Sequence, residues 1–206
     1  MNNIASRRPQ PEEFAETLSA SVYQRDQVEK VDGECALAVL RGQLHWICEL
    51  TGHLSTGQID RIHAPYSWTI RQVLAHCLDA ERVFGYRMMR IAAGDSTPLP
   101  GWDENAYADS RFGLGNFTNL TSELVALRQS NLWLLQRIVP QAWDRSAEVS
   151  GNRMTVRAIA WLTAGHLQHH FQIIEERCET KVARTPPPMM PPQEPAKAST
   201  ETPMSS

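Results

Sequence analysis

The amino-acid sequence predicts an all-α protein in the form of a four-helix bundle. Four long segments place apolar residues at the spacing of an amphipathic helix, and the alternating pattern of a strand is nearly absent. Of the 206 residues, 42% are hydrophobic and 21% are charged, which suits one buried core with an ordinary polar surface. No apolar run approaches the roughly 18 residues that span a bilayer, so we expect no membrane partner.

The four predicted helices cover about residues 34–54, 70–93, 120–139 and 155–179. Ser67-Trp68-Thr69 offers a hydroxyl cap to the second helix, and Pro140 ends the third. A long loop, residues 94–117, joins these two helices and contains two prolines and four glycines. Loops of that length are uncommon in compact domains and are often functional. Gly151-Asn152 predicts a small hairpin before the fourth helix.

The ends of the chain differ in composition from its middle. Residues 1–21 are polar and weakly periodic, and we expect a flexible arm there. Residues 181–206 are rich in Pro, Ser, Thr and Glu, and such a segment buries too little apolar surface to fold, so a disordered tail is expected. The folded bundle is then assigned to residues 22–180.

Charge and cysteine usage restrict the partners and the compartment. The net charge is −3 and the pI is about 6.2, so the basic field that drives nucleic-acid binding is missing and no nucleic-acid partner is expected. The four cysteines, Cys35, Cys48, Cys77 and Cys178, form no CxxC pair. Because the N-terminus shows no secretory signal, we expect reduced, buried cysteines in a cytoplasmic protein.

Three of the seven histidines, His166, His169 and His170, lie within five residues on the fourth predicted helix. Residues four apart share a helix face, with Cβ atoms roughly 5–6 Å apart, so His166 and His170 can converge on one point while His169 is rotated away. His169 is therefore expected to be an outer or packing residue. Leu167 follows the first histidine where a zincin needs Glu, which excludes that class.

A third ligand should come from the inner face of another helix, because bundles build metal sites from facing helices. Four single histidines remain, His45, His53, His63 and His76. His53 and His63 flank a loop near solvent, and His45 could be a packing residue. His76 lies well inside the apolar second helix. A lone histidine there is usually a hydrogen-bonded core residue, but the paired histidines favour a metal site of His76, His166 and His170.

The segments WTIRQVLAHCLDAERVFGYRMMR and MTVRAIAWLTAGHLQHHFQIIEERC resemble the DinB/YfiT-like superfamily. The markers are Trp68, the helix-two histidine followed by Asp79-Ala80-Glu81, and the GHxxHH run. The resemblance covers about residues 34–178 and implies an up-up-down-down bundle that is often a homodimer. It also implies a divalent metal ion, commonly zinc or nickel, on His76, His166 and His170.

Three functions are compatible with such a site, which leaves positions open to water or substrate. The superfamily includes thiol S-transferases, so the resemblance implies a transferase that joins a small-molecule thiol to an electrophile. A metal-dependent hydrolase is the second hypothesis, and a metal-binding stress-response protein without turnover is the third. No catalytic residue beyond the metal ligands is assigned.

Four further features have two interpretations each. Asp79 is as suited to orienting a ligand as to the surface, whereas Glu81 favours a surface or helix-pairing role over that of a base. Arg87 favours a salt bridge over an anionic substrate. The loop with Trp102 and Tyr107 could roof the site or simply pack over the end of the bundle.

Overall fold

The computed structural model describes residues 5–14, 18–110 and 115–184, with only the backbone for residues 18–23. Within these residues, seven α-helices and a two-stranded hairpin follow one another along the chain. The helices are α1 (Leu18–Glu29), α2 (Ala36–His53), α3 (Thr56–Ile59), α4 (Ile70–Ala92), α5 (Glu104–Asp109), α6 (Phe117–Arg137) and α7 (Val156–Arg177). The strands are β1 (Ser146–Val149) and β2 (Asn152–Thr155), and short 3-10 turns cover Pro11–Glu13 and Pro140–Asp144.

The predicted four-helix bundle is confirmed, and it consists of α2, α4, α6 and α7. In this bundle α4 packs between α6 and α7, and α2 packs against the same two helices from the opposite side. The predicted starts and ends of the four helices agree with the observed ones to within about three residues. The short helices α1, α3 and α5 were not predicted.

Local signals in the sequence explain where two bundle helices begin. The hydroxyls of Thr69 and Thr155 accept hydrogen bonds from the first-turn amides of α4 and α7, which would otherwise lack partners. The predicted hairpin is present, but its turn lies one residue before the predicted Gly151-Asn152, at Ser150 and Gly151, which have φ angles of 52° and 78°. Positive φ at both central residues is the geometry of a tight hairpin turn.

Helices α4 and α6 run in the same direction. Arg71, at the start of α4, donates to the Gly115 carbonyl (2.7 Å) and lies over the Phe117 ring at the start of α6. Further along both helices, Glu81 of α4 pairs with Arg128 of α6. Because parallel neighbours need a connection that returns along the bundle, the long loop between α4 and α6 is a geometric necessity.

Helix α7 runs opposite to α4. Arg177, at the end of α7, donates to the Trp68 carbonyl just before α4, whereas Phe84 in the second half of α4 contacts the ring of His166. Helix α2 is parallel to α7, since Gln43 meets Ala164 and Trp46 meets Glu175. The helix order is therefore up-down-down-up, which corrects the up-up-down-down order that the resemblance implied.

The core has two apolar clusters, one toward each end of the bundle. The first includes Leu40, Met88, Leu132 and Trp161, and the second includes Trp46, Leu74, Leu124 and Phe171. Buried polar side chains occupy the level between them, where a break in apolar packing can hold a site. Among the helices of the described residues, none combines the length and apolar character that crossing a membrane would require.

Part of the segment that was expected to form a loose arm lies on the bundle. The Ser6 carbonyl accepts from the Ala36 amide (2.9 Å), the Arg7 carbonyl accepts from the Trp161 indole (2.7 Å), and Phe14 is buried. Helix α1 then packs on α7. Residues 185–206 of the expected tail lie outside the described residues, and the domain boundaries remain predictions.

The cysteines only partly follow the expectation of burial. All four are free; Cys77 and Cys178 are buried, Cys35 is partly exposed and Cys48 is exposed. Cys48 lies on the outer face of α2, since Trp46, Ile47 and Leu50 define the inner, buried face of this part of the helix.

Gly165 permits a close approach of α1 to α7, and this gives a first prediction. A Cβ atom at residue 165 would lie 2.4 Å from the Gln27 carbonyl oxygen, so Gly165→Ala must displace α1. We expect the variant to lose about 1–3 kcal/mol in free energy of unfolding, measured by urea titration. Gly42→Ala is the matched control, because nothing lies within 4 Å of a Cβ there. The control should gain up to about 1 kcal/mol from helix propensity, and equal effects of the two changes would contradict the packing argument.

Candidate metal centre

The three histidines predicted as ligands come together between α4 and α7. The Nε2 atom of His76 lies 2.9 Å from Nε2 of His166 and 3.1 Å from Nε2 of His170. All three candidate ligand atoms lie within 4.8 Å of one another, so the group could hold a metal ion. His166 and His170 are one turn apart on α7, as the spacing predicted, and α4 presents His76 opposite them.

The chemistry of this donor set fits a divalent cation. Two nitrogens that each lie ~2.0–2.1 Å from a tetrahedral zinc ion are about 3.3 Å apart, so a small opening of the observed cluster admits an ion. Imidazole nitrogen is a good ligand for zinc and nickel alike. Without a shared cation or protons, three acceptor nitrogens would face one another in the interior, and this arrangement is costly.

Burial keeps the three imidazoles in the form that can bind a metal. It lowers the pKa of His76 to about 4, with a smaller contribution from the nearby His169. The pKa values of His166 and His170 lie well below the usual range, first because of burial and then because the other histidines of the cluster would carry the same charge. Each ring is thus neutral at pH 7 and has a free lone pair.

Aromatic side chains surround the histidines. Trp102 stacks on His76 with ring centroids 5.7 Å apart and planes 10° apart, and Trp68 lies 5.3 Å from the same ring. Phe84 meets His166 edge to face at 5.7 Å. The buried Nδ1 atom of His76 has no hydrogen-bond partner among the described residues, so the expected acceptor behind this ring is not found there. Ring stacking therefore contributes to holding the orientation of His76.

The long loop covers one side of the cluster, which settles the choice between a roof and end packing. Asp103 caps α5 through the Asn105 and Ala106 amides, and Gln72 of α4 donates to the Ala108 carbonyl at 3.2 Å. These bonds hold α5 over α4 and leave only a small cleft of about 10 Å³ beside His76. Its lining residues are Gln72, Ala75, His76, Asp79, Trp102, Glu104, Tyr107 and Ala108.

His169 lies beside the cluster rather than in it, as its rotation on the helix predicted. Its ring centroid is 5.1 Å from that of His170, and its side chain is partly exposed. Burial lowers its pKa, and Lys30 on α1 adds to this shift while Asp26 opposes it. This position makes His169 a natural control for the three clustered histidines.

The remaining histidines stay outside the group. His45 and His53 are on α2, and His53 is exposed with its ring against the Glu49 carbonyl. His63 is buried, not near solvent as expected, and its Nε2 atom bonds with the Gln58 carbonyl at 2.9 Å. None of these three belongs to the cluster of His76, His166 and His170.

Two charged residues on α4, Glu81 and Arg87, have structural roles outside the histidine cluster. Glu81 is buried in a bidentate ion pair with Arg128, so its carboxylate is fully engaged in helix pairing, as the sequence favoured. Arg87 was expected to form a salt bridge, but its guanidinium donates to the Pro100 carbonyl (2.9 Å) and the Ser150 hydroxyl (3.2 Å). Arg87 thus anchors the start of the roof, because it can reach two chain segments that the sequence places far apart.

Asp79 is the acidic side chain on α4 that lies at the cleft. It is 3.3 Å from Arg82, and its side chain is 13% exposed. Burial raises its pKa, while the Arg82 charge partly opposes this shift. The sequence left its role open, and the structure places it behind His76 on the side of the roof.

Comparisons with known proteins agree with the four-helix fold. The family model for the DinB superfamily matches residues 37–174. No functionally curated protein matches the sequence. Among solved structures the chain is similar to YfiT from Bacillus subtilis, at 18% sequence identity and a TM-score of 0.62, with 86% of this chain and 99% of that chain covered. YfiT is described as a probable metal-dependent hydrolase with an unusual four-helix bundle topology; at this identity the likeness shows the fold alone.

The lowered pKa values predict how the stability of the metal-free protein depends on pH. In the unfolded chain the histidines take up protons as the pH falls through about 6.5, whereas the folded chain keeps His76 neutral to about 4. The unfolded state then binds more protons, so the free energy of unfolding should fall from pH 7 to pH 5, by up to about 1.4 kcal/mol per pH unit for each histidine. Urea unfolding of chelator-treated protein measures this slope. His76→Gln removes one titrating group and should make the slope shallower; an unchanged slope would contradict the burial argument.

Proposed function

The chain belongs to the DinB superfamily, and we propose that it is a metal-dependent enzyme whose divalent ion is held by His76, His166 and His170. The observation that supports this most directly is the convergence of three neutral imidazole nitrogens inside the bundle. Three neutral ligands leave the charge of the ion uncompensated and leave positions for a substrate, as in catalytic rather than structural sites.

The proposed reaction is transfer of a low-molecular-weight thiol to a small electrophile. The sulfur–carbon bond forms as the leaving group departs, and the thiol proton is released to solvent. A bound divalent ion would supply Lewis acidity and favour the deprotonated form of the thiol. Zinc and nickel both accept imidazole and sulfur ligands together, and the resemblance to a superfamily with thiol S-transferases supports this choice over other nucleophiles.

The side chains around the site would assist by excluding water. Phe84, Trp68 and Trp102 contact the histidines and lower the local polarity, which strengthens every charge interaction at the site. The chain itself offers no thiol for the reaction here: Cys77 follows His76 but is buried, and burial raises the pKa of its thiol far above the usual range. The reacting thiol would therefore come from a small molecule.

Hydrolysis is the second candidate, and the structural likeness to YfiT favours it. Water would replace the thiol as nucleophile at the same three histidines. Glu81 is not available as a general base, because Arg128 and Asn131 bind its carboxylate. A hydrolase would thus depend on the ion to activate water. Asp79, which lines the cleft together with His76, is the carboxylate closest to His76 along the sequence.

Metal binding is tested first. We expect purified protein, loaded with zinc or nickel and desalted, to retain one ion per chain by elemental analysis. His76→Ala/His166→Ala/His170→Ala should retain none, and each single variant should weaken binding by more than the roughly 10–100-fold that loss of an outer residue costs. His169→Ala is the matched control and should bind like the wild type. Equal stoichiometry in the wild type and the triple variant would refute the site.

Activity is tested with metal-loaded and metal-free protein side by side. We expect loaded protein to accelerate the reaction of at least one low-molecular-weight thiol with monochlorobimane, and the triple histidine variant to lose that acceleration. Acceleration of ester hydrolysis without any thiol would select the hydrolase instead. If the loaded protein accelerates neither reaction relative to the metal-free protein, the result supports a metal-binding protein without turnover.

A further inference from the structure

A chain of buried polar side chains joins the two histidine-bearing helices by a route that avoids the histidines. It begins at Glu81, which follows His76 on α4 by five residues. Arg128 of α6 binds the Glu81 carboxylate with both ends of its guanidinium, Nε to Oε1 at 2.9 Å and Nη2 to Oε2 at 2.8 Å. The side chains are 0% and 2% exposed, so neither charge has access to solvent.

The same guanidinium continues the chain into the other two bundle helices. Arg128 Nη1 donates to the Gln43 Oε1 atom on α2. Gln43 in turn donates from Nε2 to the Ala164 carbonyl of α7 at 2.8 Å, and this bond is also buried. Ala164 precedes His166 by two residues. One Arg therefore links α4, α6, α2 and α7 at the level of the histidine cluster.

At the Glu81 end of this hydrogen-bond network, the side-chain amide of Asn131 also binds the carboxylate. Asn131 donates to Oε1 of Glu81 at 2.8 Å and to the Glu81 backbone carbonyl at 3.2 Å. Residue 85 leaves the necessary room, because a Cβ atom on Gly85 would lie 2.2 Å from the Asn131 side-chain oxygen. The sequence thus provides space for the network as well as its donors and acceptors.

The energetics indicate a role other than raw stability. Replacing a buried ion pair by apolar side chains of similar size is often neutral or stabilising, because burial of both charges is costly. Hydrogen bonds, however, depend steeply on distance and angle, whereas apolar contacts tolerate small displacements. A bidentate pair extended by Gln43 therefore determines how far α4 can slide relative to α7, more strictly than the two apolar clusters do.

We infer that Arg128 is a positioning residue for the histidine cluster: through Glu81 and Gln43 it sets α4 against α7 and so places His76 opposite His166 and His170. The effect on metal affinity rests on the proposed function. The effect on the geometry of the histidines does not, because the network and the cluster are both complete in the chain without an ion.

The experiment replaces three side chains of the buried polar network by apolar residues of similar volume, in the variant Gln43→Leu/Glu81→Met/Arg128→Met. Asn131 keeps its bond to the backbone carbonyl of residue 81. The matched control is Glu13→Met/Arg157→Met, which removes another largely buried ion pair from the N-terminal end of α7, away from the histidines, together with the pairing of Arg157 to the exposed Asp144. Both variants and the wild type are compared in circular dichroism, thermal unfolding, zinc affinity and the absorption spectrum of the cobalt-loaded protein.

We expect the triple variant to keep its helical content and to unfold at or above the wild-type temperature. Its zinc affinity should nevertheless fall about tenfold or more, as for loss of other outer residues of metal sites, and its cobalt bands should shift. In metal-free protein the imidazole 15N shifts of His76 and His166 should change, because their close contact is lost. The control should match the wild type in affinity, in cobalt bands and in imidazole shifts.

The outcomes separate the inference from the proposed function. Wild-type affinity, cobalt bands and imidazole shifts in the triple variant would overturn the inference while the metal site stands. If the wild type binds no ion, the proposed function fails, and the imidazole shifts of metal-free protein alone decide the inference. Should the triple variant not fold, Arg128→Lys serves instead, since it keeps the charge but loses the bidentate geometry. Weaker zinc binding with shifted imidazole signals supports the inference, and wild-type values overturn it.

Discussion

The burial of three neutral imidazoles at one level of the bundle is the constraint on which the rest of the structure depends. Their nitrogens face one another at 2.9–3.1 Å across α4 and α7, with His76 and His166 buried and His170 partly exposed. Such a group is costly unless shared protons or a cation satisfy the nitrogens, so the surrounding fold must hold the three rings in place. Stacking by Trp102 restrains one ring, and pairing of four helices around Arg128 restrains the helices that bear all three.

The buried polar side chains in the middle of the bundle are separate from the two apolar clusters that stabilise the fold. Apolar clusters toward the two ends of the bundle supply the burial on which folding depends, and they surround the histidine cluster without contributing ligands. This arrangement lets the middle of the bundle hold a charged network and three titratable rings that would destabilise a smaller core. It also explains why burial governs the chemistry: the same desolvation that lowers the pKa values prepares the rings for a metal ion.

The parallel pairing of α4 and α6 has a functional consequence. Parallel helices require a connection that returns the length of the bundle, and here that connection supplies Trp102 and α5 as the roof of the site. Arg87 holds the beginning of this connection against the hairpin, at Pro100 and Ser150. The topology, the long loop and the cover over His76 are thus one feature. Membership of the DinB superfamily and the likeness to YfiT agree with the four-helix bundle itself.

The sequence by itself determined the four bundle helices, because apolar spacing reports which face of each helix is buried. It also determined that His166 and His170 share a face and that His76 lies on the apolar face of another helix. Only the tertiary structure decided which helices are neighbours, and with that the helix order, the stacking of Trp102, the partners of Arg87 and the route from Glu81 through Arg128 and Gln43 to α7. The physical reason is that periodicity defines a side chain relative to its own helix axis, whereas contacts between helices depend on packing and on the path of the loops.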